Sequence, residues 1–253
     1  MSQLDSSSVN FGQTQQFLIQ WDAFVKNVLE VTIQGYHNLC KLGLARRNLE
    51  ENQFTGNLED CIRPFAAEKG LVIDPLSKML TSEMKAGKKT SKKAKEIDLK
   101  LFGLWTNDYH KFHFVWECKL IATPTKKEYQ ALIYEYITQG IVRFLLEEWK
   151  YASYVDDAGM IGYILHGEAN DIVYAINQEM LVPPQPRKSL LTESRPTHTS
   201  LSSYSFSLSD NLKQASVPGT FIDIYKSSHN RAFCNKSIRL YHLFLTFDFD
   251  QKI

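Results

Sequence analysis

The chain of 253 residues has no bulk charge: 29 Lys and Arg stand against 28 Asp and Glu, a net charge of +1. Nucleic-acid binding through overall charge is thereby excluded, and any basic surface is local. No apolar run approaches the roughly 18 residues that a membrane-crossing helix needs, and the opening MSQLDSSSVNFGQTQQ has neither a basic nor an apolar leader segment. The expectation is a cytoplasmic protein with no membrane partner. Cysteine is scarce: Cys40, Cys61, Cys118 and Cys234 form no CxxC pair and meet no histidine at zinc-ligand spacing. That argues against a structural zinc site and for reduced thiols. The absence of an internal repeat removes solenoids, and there is no recognition helix or other base-reading module.

What is present is an ordinary folding composition, 43% apolar and 23% charged, which excludes disordered and fibrous classes. The length suits a single domain over 1–253 with its own core. Residues 1–16, rich in Ser and Gln, are expected to be a flexible start or an edge strand. Residues 181–210, headed by Val182-Pro183-Pro184-Gln185-Pro186, are expected to be a long loop.

Between these segments the apolar spacing predicts several elements. From Phe17 to Val31 helix and strand fit equally well. Phe54, Leu58 and Ile62 recur at i, i+4 and i+8 and predict a helix between Arg46 and Ala67, with Pro64 ending or kinking it before Phe65. An element around Leu71–Leu80 precedes KAGKKTSKKAKE, whose crowded lysines form either a solvated loop or an arm that contacts phosphates. Ile97–Trp105 and Lys111–Ile121 read as an antiparallel hairpin turned at Thr106-Asn107-Asp108. After Pro124 a 3.6-residue period predicts one long helix from Tyr129 towards Trp149, with Gly140 marking a close neighbour. Gly159–Tyr163 fits helix or strand, and Ala169–Met180 a helix. Thr220–Tyr225 and Ile238–Phe249 read as strands, with Ser227–Arg231 as the turn between them.

The hairpin carries the chemistry. Ile97-Asp98-Leu99 lies on its first strand and Trp116-Glu117-Cys118-Lys119-Leu120 on its second. Residues two apart on a strand share a face, so Glu117 and Lys119 project together, and strand pairing brings Asp98 to the same spot. Two carboxylates offer hard oxygen ligands to Mg²⁺, which favours sparse sites that keep several waters. A lysine beside them can orient an attacking water and stabilise charge developing on a phosphodiester. The acid-x-lysine triplet alone is cheap, since Glu83-Met84-Lys85 and Glu148-Trp149-Lys150 repeat it. Glu117-Cys118-Lys119 differs because it interrupts the apolar run HFVWECKLI, where two charges cost several kcal/mol, on the order of 3 or more, unless paired or functional. A half-exposed hairpin with an Glu–Lys salt bridge is the bland alternative.

The order of elements, an acidic helix, a strand with Asp, a strand with Glu-x-Lys and then a helix, resembles the PD-(D/E)xK nuclease superfamily over about Glu50–Trp149. Ile97 stands where the motif has its proline. The resemblance implies a restriction-endonuclease-like α/β fold, a mixed central sheet with helices on both sides. It also implies that Asp98, Glu117 and the backbone carbonyl of Cys118 bind Mg²⁺, or Mn²⁺ in its place. Lys119 would serve the water, and Glu51 would be the helix acid, with Glu50 its competitor. The activity implied is metal-dependent hydrolysis of DNA. More widely, Glu135–Phe144, Tyr151, Gly159–Tyr163, Ser228-His229-x-Arg231 and Tyr241–Leu245 are similar to the nuclease subunit of Hachiman-type bacterial anti-phage defence systems. That similarity implies a helicase partner.

Lys88, Lys89, Lys92, Lys93 and Arg143 are candidate phosphate contacts, Arg143 alternatively pairing with Glu147 one turn on. His229 and Arg231 could meet a phosphate or a partner, although turns commonly carry such residues. Tyr134, Tyr136, Tyr151, Tyr154 and Tyr163 are too spread for a stacking platform and suit core edges. A subunit that keeps the nuclease fold for docking alone, and a plain nucleic-acid-binding module using the lysine run, are the competing classes.

Overall fold

A computed structural model describes residues 10–74, 98–103, 112–146, 152, 155–182, 204–216 and 222–249. The lysine run with Lys88, Lys89, Lys92 and Lys93, the hairpin turn at Thr106–Asp108, Glu147, Tyr151, Tyr154 and most of the 181–210 segment lie outside them.

Seven strands form one sheet: β1 (Leu71–Ile73), β2 (Leu99–Gly103), β3 (His113–Ala122), β4 (Asp157–His166), β5 (Lys213–Ala215), β6 (Ile224–Asn230) and β7 (Ser237–Thr246), in the order β1-β2-β3-β4-β7-β6-β5. The three central strands β3, β4 and β7 are parallel, and both flanks pair antiparallel. The fold is therefore mixed α/β. Helices α1 (Asn10–Lys41) and α2 (Glu51–Glu68) cover one face, where Trp21 donates to Asp157 at 2.8 Å and Phe54 stacks on Tyr163 at 5.0 Å. Helices α3 (Gln130–Thr138) and α4 (Ala169–Met180) cover the other, through Tyr136 on His242 and Phe244, and Asn170 on Tyr225. Among the described residues no helix is long and apolar enough to cross a membrane.

The hairpin β2–β3 and the helix at Ala169–Met180 stand as the sequence predicts, and Gly159–Tyr163 lies on a strand. Several expectations are corrected. Residues 10–16 belong to α1 and not to a flexible or edge segment, and the ambiguous stretch after Phe17 is helical. Although Val31-Thr32-Ile33 favours strand, the stripe Trp21, Phe24, Val28, Leu29 buries a whole helical face, which outweighs local propensity. Pro64 does not end α2, which runs on to Glu68 with Ala66 buried. Burial of that last turn offsets the hydrogen bond the proline cannot donate. The long helix expected after Tyr129 stops at Thr138 and resumes as a 3₁₀ turn, Ile141–Phe144. Gly140 is the cause: a Cβ there would lie 2.3 Å from Met160 Cε, so the chain passes β4 too closely for any side chain. Ser227–Asn230 is not a turn but the second half of β6, with Ser227 and His229 turned inward by strand alternation. Residues 208–210 of the expected loop form a 3₁₀ turn.

Candidate active site

The site sits where the sheet frays. Pairing of β2 with β3 begins only at Leu99 opposite Trp116, so beyond that point the outer edge of β3 has no strand beside it. An open edge exposes backbone N–H groups that require acceptors. Two carboxylates supply them: Asp98 Oδ2 accepts from the Cys118 N–H at 2.7 Å, and Glu51 Oε2 accepts from the Leu120 N–H at 3.3 Å. Asp98 is the residue just before β2, and Glu51 the first of α2, where the helix dipole favours a carboxylate. Glu50 instead occupies the N-cap, its N–H donating to Gln53, so the helix acid at this edge is Glu51.

Lys119 gathers the acids. Its Nζ lies 2.8 Å from Glu117 Oε1, 2.9 Å from Glu51 Oε1 and 3.8 Å from Asp98 Oδ2, and it donates to the Cys118 carbonyl at 2.6 Å. The structure thus brings together Glu51, Asp98, Glu117 and Lys119. Exposure grades the cluster from its floor to its mouth: the Glu117 side chain is 0% exposed, Lys119 8%, Asp98 15% and Glu51 32%. Arg143, from the 3₁₀ turn after α3, completes the floor by donating to Glu117 Oε1. The expected outward-facing Arg143 is therefore corrected: the break at Gly140 rotates it inward onto a carboxylate. The signal available was a lone arginine in the apolar run GIVRFLL.

Three carboxylates face two cations here, and the imbalance registers on the most buried group. Burial pushes the Glu117 carboxyl up to about 7, the charge of Asp98 adds to it, and Lys119 and Arg143 hold it back. Burial works against the Lys119 charge as well, but Glu117, Glu51 and Asp98 outweigh it and hold the ammonium above its ordinary value. Lys119 therefore remains a cation and a hydrogen-bond donor. On the opposite face, the Cys118 thiol is raised by burial against Tyr163 and Thr55 and is no nucleophile.

Does the donor set fit a divalent ion? Among the described residues no three His, Cys, Asp or Glu side chains form a metal-holding group. The set expected for Mg²⁺ is sparser, two carboxylates and one carbonyl with water completing the shell. One observation favours it: Glu117 Oε2 is buried with no hydrogen-bond partner among the described residues. A buried anionic oxygen without a partner is costly, and a hard cation would satisfy it. Asp98, Glu117 and the Cys118 carbonyl thus fit such an ion.

Behind the floor runs a buried polar chain that the sequence did not reveal. Tyr136 Oη lies 2.9 Å from His242 Nδ1, His242 Nε2 2.7 Å from Ser227 Oγ, Ser227 Oγ 2.7 Å from His229 Nε2, and His229 Nδ1 3.1 Å from Asp210 Oδ1. A carboxylate only accepts, so with neutral histidines every proton in the chain is fixed: Tyr136 donates to His242, His242 to Ser227, Ser227 to His229 and His229 to Asp210. Hydrogen bonds from His229 and Ser207 outweigh burial and hold the Asp210 carboxyl below its ordinary value, keeping it an acceptor. The chain joins α3 to β7, β6 and the turn at Leu208–Asp210. Ser227 is buried and its hydroxyl is held between two imidazoles, so the Asp–His–Ser connectivity here is structural.

No protein-family model matches the chain, and neither the curated proteins nor the solved structures give a match.

Proposed function

We propose that the chain is a metal-dependent nuclease of the restriction-endonuclease-like type, hydrolysing DNA phosphodiesters. The observation that carries the proposal is the meeting of Glu51, Asp98 and Glu117 around Lys119 at the open edge of β3, with Glu117 Oε2 unpartnered. The α2–β1–β2–β3–α3–β4 order, with β4 parallel to β3, supports the same reading. Asp98, Glu117 and the Cys118 carbonyl would hold Mg²⁺ or Mn²⁺, which when bound supplies Lewis-acid stabilisation of the phosphoryl oxygens and an activated water. Lys119, a protonated donor, orients that water and stabilises charge as it develops. Glu51 positions the Lys119 ammonium and closes the β3 edge. Arg143 fixes the Glu117 carboxylate. Following the sequence similarity to Hachiman-type systems, the nuclease would be the effector of a bacterial defence complex whose helicase partner restrains it.

A second reading has an observation of its own. Lys119 donates to the Cys118 carbonyl, one of the oxygens a metal would use, so the cluster also satisfies itself as a buried ion network in a docking subunit. One experiment separates them: linear and circular DNA incubated with the protein, alone and with a helicase encoded beside it, in Mg²⁺ or EDTA. Cleavage that needs Mg²⁺ and disappears in a folded Glu117→Ala variant is expected. Absence of cleavage by folded wild type in every combination would leave the docking subunit.

A further inference from the structure

The acids of the site present a problem for their own substrate: Glu51, Asp98 and Glu117 repel a phosphate chain, and the cations among them are already engaged by carboxylates. A strand lying across the site needs a cationic seat close by. The loop that leads into α2 carries Arg46-Arg47-Asn48, and these three line a groove of about 620 Å³ with Phe247, Asp248 and Phe249 at the end of β7. Asn48 is three residues before Glu51, so their Cα atoms are at most roughly 11 Å apart. From the other side, Phe54, one turn after Glu51, packs against Phe247 at 5.3 Å and Phe249 at 6.4 Å. The groove thus opens beside the helix turn that holds the helix acid.

Its lining has the two features that single-stranded nucleic acid requires. The first is positive charge, two arginines against the one carboxylate of Asp248. The second is a flat face: the Arg47 guanidinium lies 5.4 Å from the centroid of the Phe249 ring, making a planar cationic platform. Bases stack on aromatic and guanidinium planes whatever their identity. Asp248 would oppose a bare phosphate, but it can accept from a base amino group. The volume falls within the roughly 300–1,000 Å³ of small-molecule sites, the scale of a nucleotide and not of a duplex flank.

We infer that this groove is a nucleotide subsite in which Arg46 and the Arg47–Phe249 platform hold single-stranded nucleic acid beside the cleavage site. The inference rests on the nuclease proposal for its purpose, but the groove can be tested without catalysis. Binding of a fluorescein-labelled oligothymidylate is followed by anisotropy in EDTA over a range of salt, for wild type, an Arg46→Ala/Arg47→Ala double variant and Phe249→Leu, with thermal melts confirming that each folds. The double variant is expected to bind about tenfold more weakly and to flatten the log–log salt dependence by about 1.4, two lost phosphate contacts on a single strand. Phe249→Leu removes the platform but no charge, so affinity falls severalfold while the slope stays. No binding by wild type, or equal affinity and slope in the double variant, overturns the subsite. Cleavage in Mg²⁺ is then measured on the same proteins. A wild type that binds through the groove but never cuts sinks the nuclease proposal and leaves the subsite; one that cuts, with the double variant binding and cutting equally well, sinks the subsite alone.

Discussion

Arg143 holds the very oxygen of Glu117 that Lys119 also holds, so one buried carboxylate oxygen receives both cations while its twin receives none. The pair is well shielded, with Arg143 14% exposed and Glu117 0%. Removing one partner of a buried ion pair strands the other. Arg143→Ala is therefore expected to cost on the order of 3 kcal/mol in urea unfolding, with Arg143→Lys recovering part of it. Cleavage should fall in both variants while DNA affinity and its salt dependence hold. A salt slope lowered by about 1 with unchanged stability would instead make Arg143 a phosphate contact.

For Lys119 the expectation concerns rate. The ammonium touches Glu117, Glu51 and the Cys118 carbonyl, and its proposed task arises only as charge develops on the phosphodiester. Lys119→Ala should lower kcat by about 10²–10³ while the DNA dissociation constant in EDTA barely moves. Single-turnover cleavage beside anisotropy measures both. Equal cleavage in mutant and wild type removes Lys119 from the mechanism.

The hairpin was legible in sequence because two signals coincide there: strand periodicity, and charges interrupting an apolar run that has no other use for them. Asp98, Glu117, Lys119 and Glu51 came out of that coincidence. Arg143 did not, because its direction depends on the chain breaking at Gly140, and the break depends on Met160 arriving from a strand twenty residues later. The 3.6-residue period continues through Gly140 in the sequence, so only the tertiary contact ends the helix. His229 was hidden for a related reason. Ser227-Ser228-His229-Asn230 has turn composition, and pairing with Ile238–Leu240 of β7 makes it a strand regardless. Glu50 and Glu51 are separated by the helix start, which the composition of Asn48–Gln53 leaves unmarked.

The packing under Glu117 gives a stability prediction. Gly159 on β4 pairs with Trp116 on β3, and a Cβ at Gly159 would lie 2.1 Å from Trp116 Cζ3, part of a ring that is fully buried. Neither strand can shift without moving the sheet, so Gly159→Ala should lower stability by about 1–3 kcal/mol, and Trp116→Phe in the same chain should restore part of that by freeing the space. Because Trp116 adjoins Glu117, cleavage should fall with stability in the single variant. A Gly159→Ala protein that melts as wild type would show that the Trp116 ring has another place to go.

Acid should loosen the opposite half of the sheet through His242. Burial holds this imidazole well below its ordinary value of 6.5, and the charge of nearby His229 adds to the effect; Tyr136 and Ser227 occupy its two nitrogens as hydrogen-bond partners. A proton on Nδ1 would displace the Tyr136 hydroxyl that donates there. In the unfolded chain the same side chain titrates near 6.5, so above that pH neither state binds the proton and the contribution to stability is complete. Below it the unfolded chain takes up a proton that the folded one refuses, and stability falls by about 1.4 kcal/mol per pH unit until the folded value is reached. His242→Gln keeps one donor and one acceptor for Ser227 and Tyr136 but cannot titrate. Urea unfolding at pH 7.5 and 5.5 should therefore show a smaller acid loss in His242→Gln than in wild type, even if the variant starts lower. His229, Asp210 and the carboxylates titrate alike in both proteins, so the difference isolates His242. Equal losses in the two proteins would mean that the chain from Tyr136 to Asp210 accepts the proton without opening.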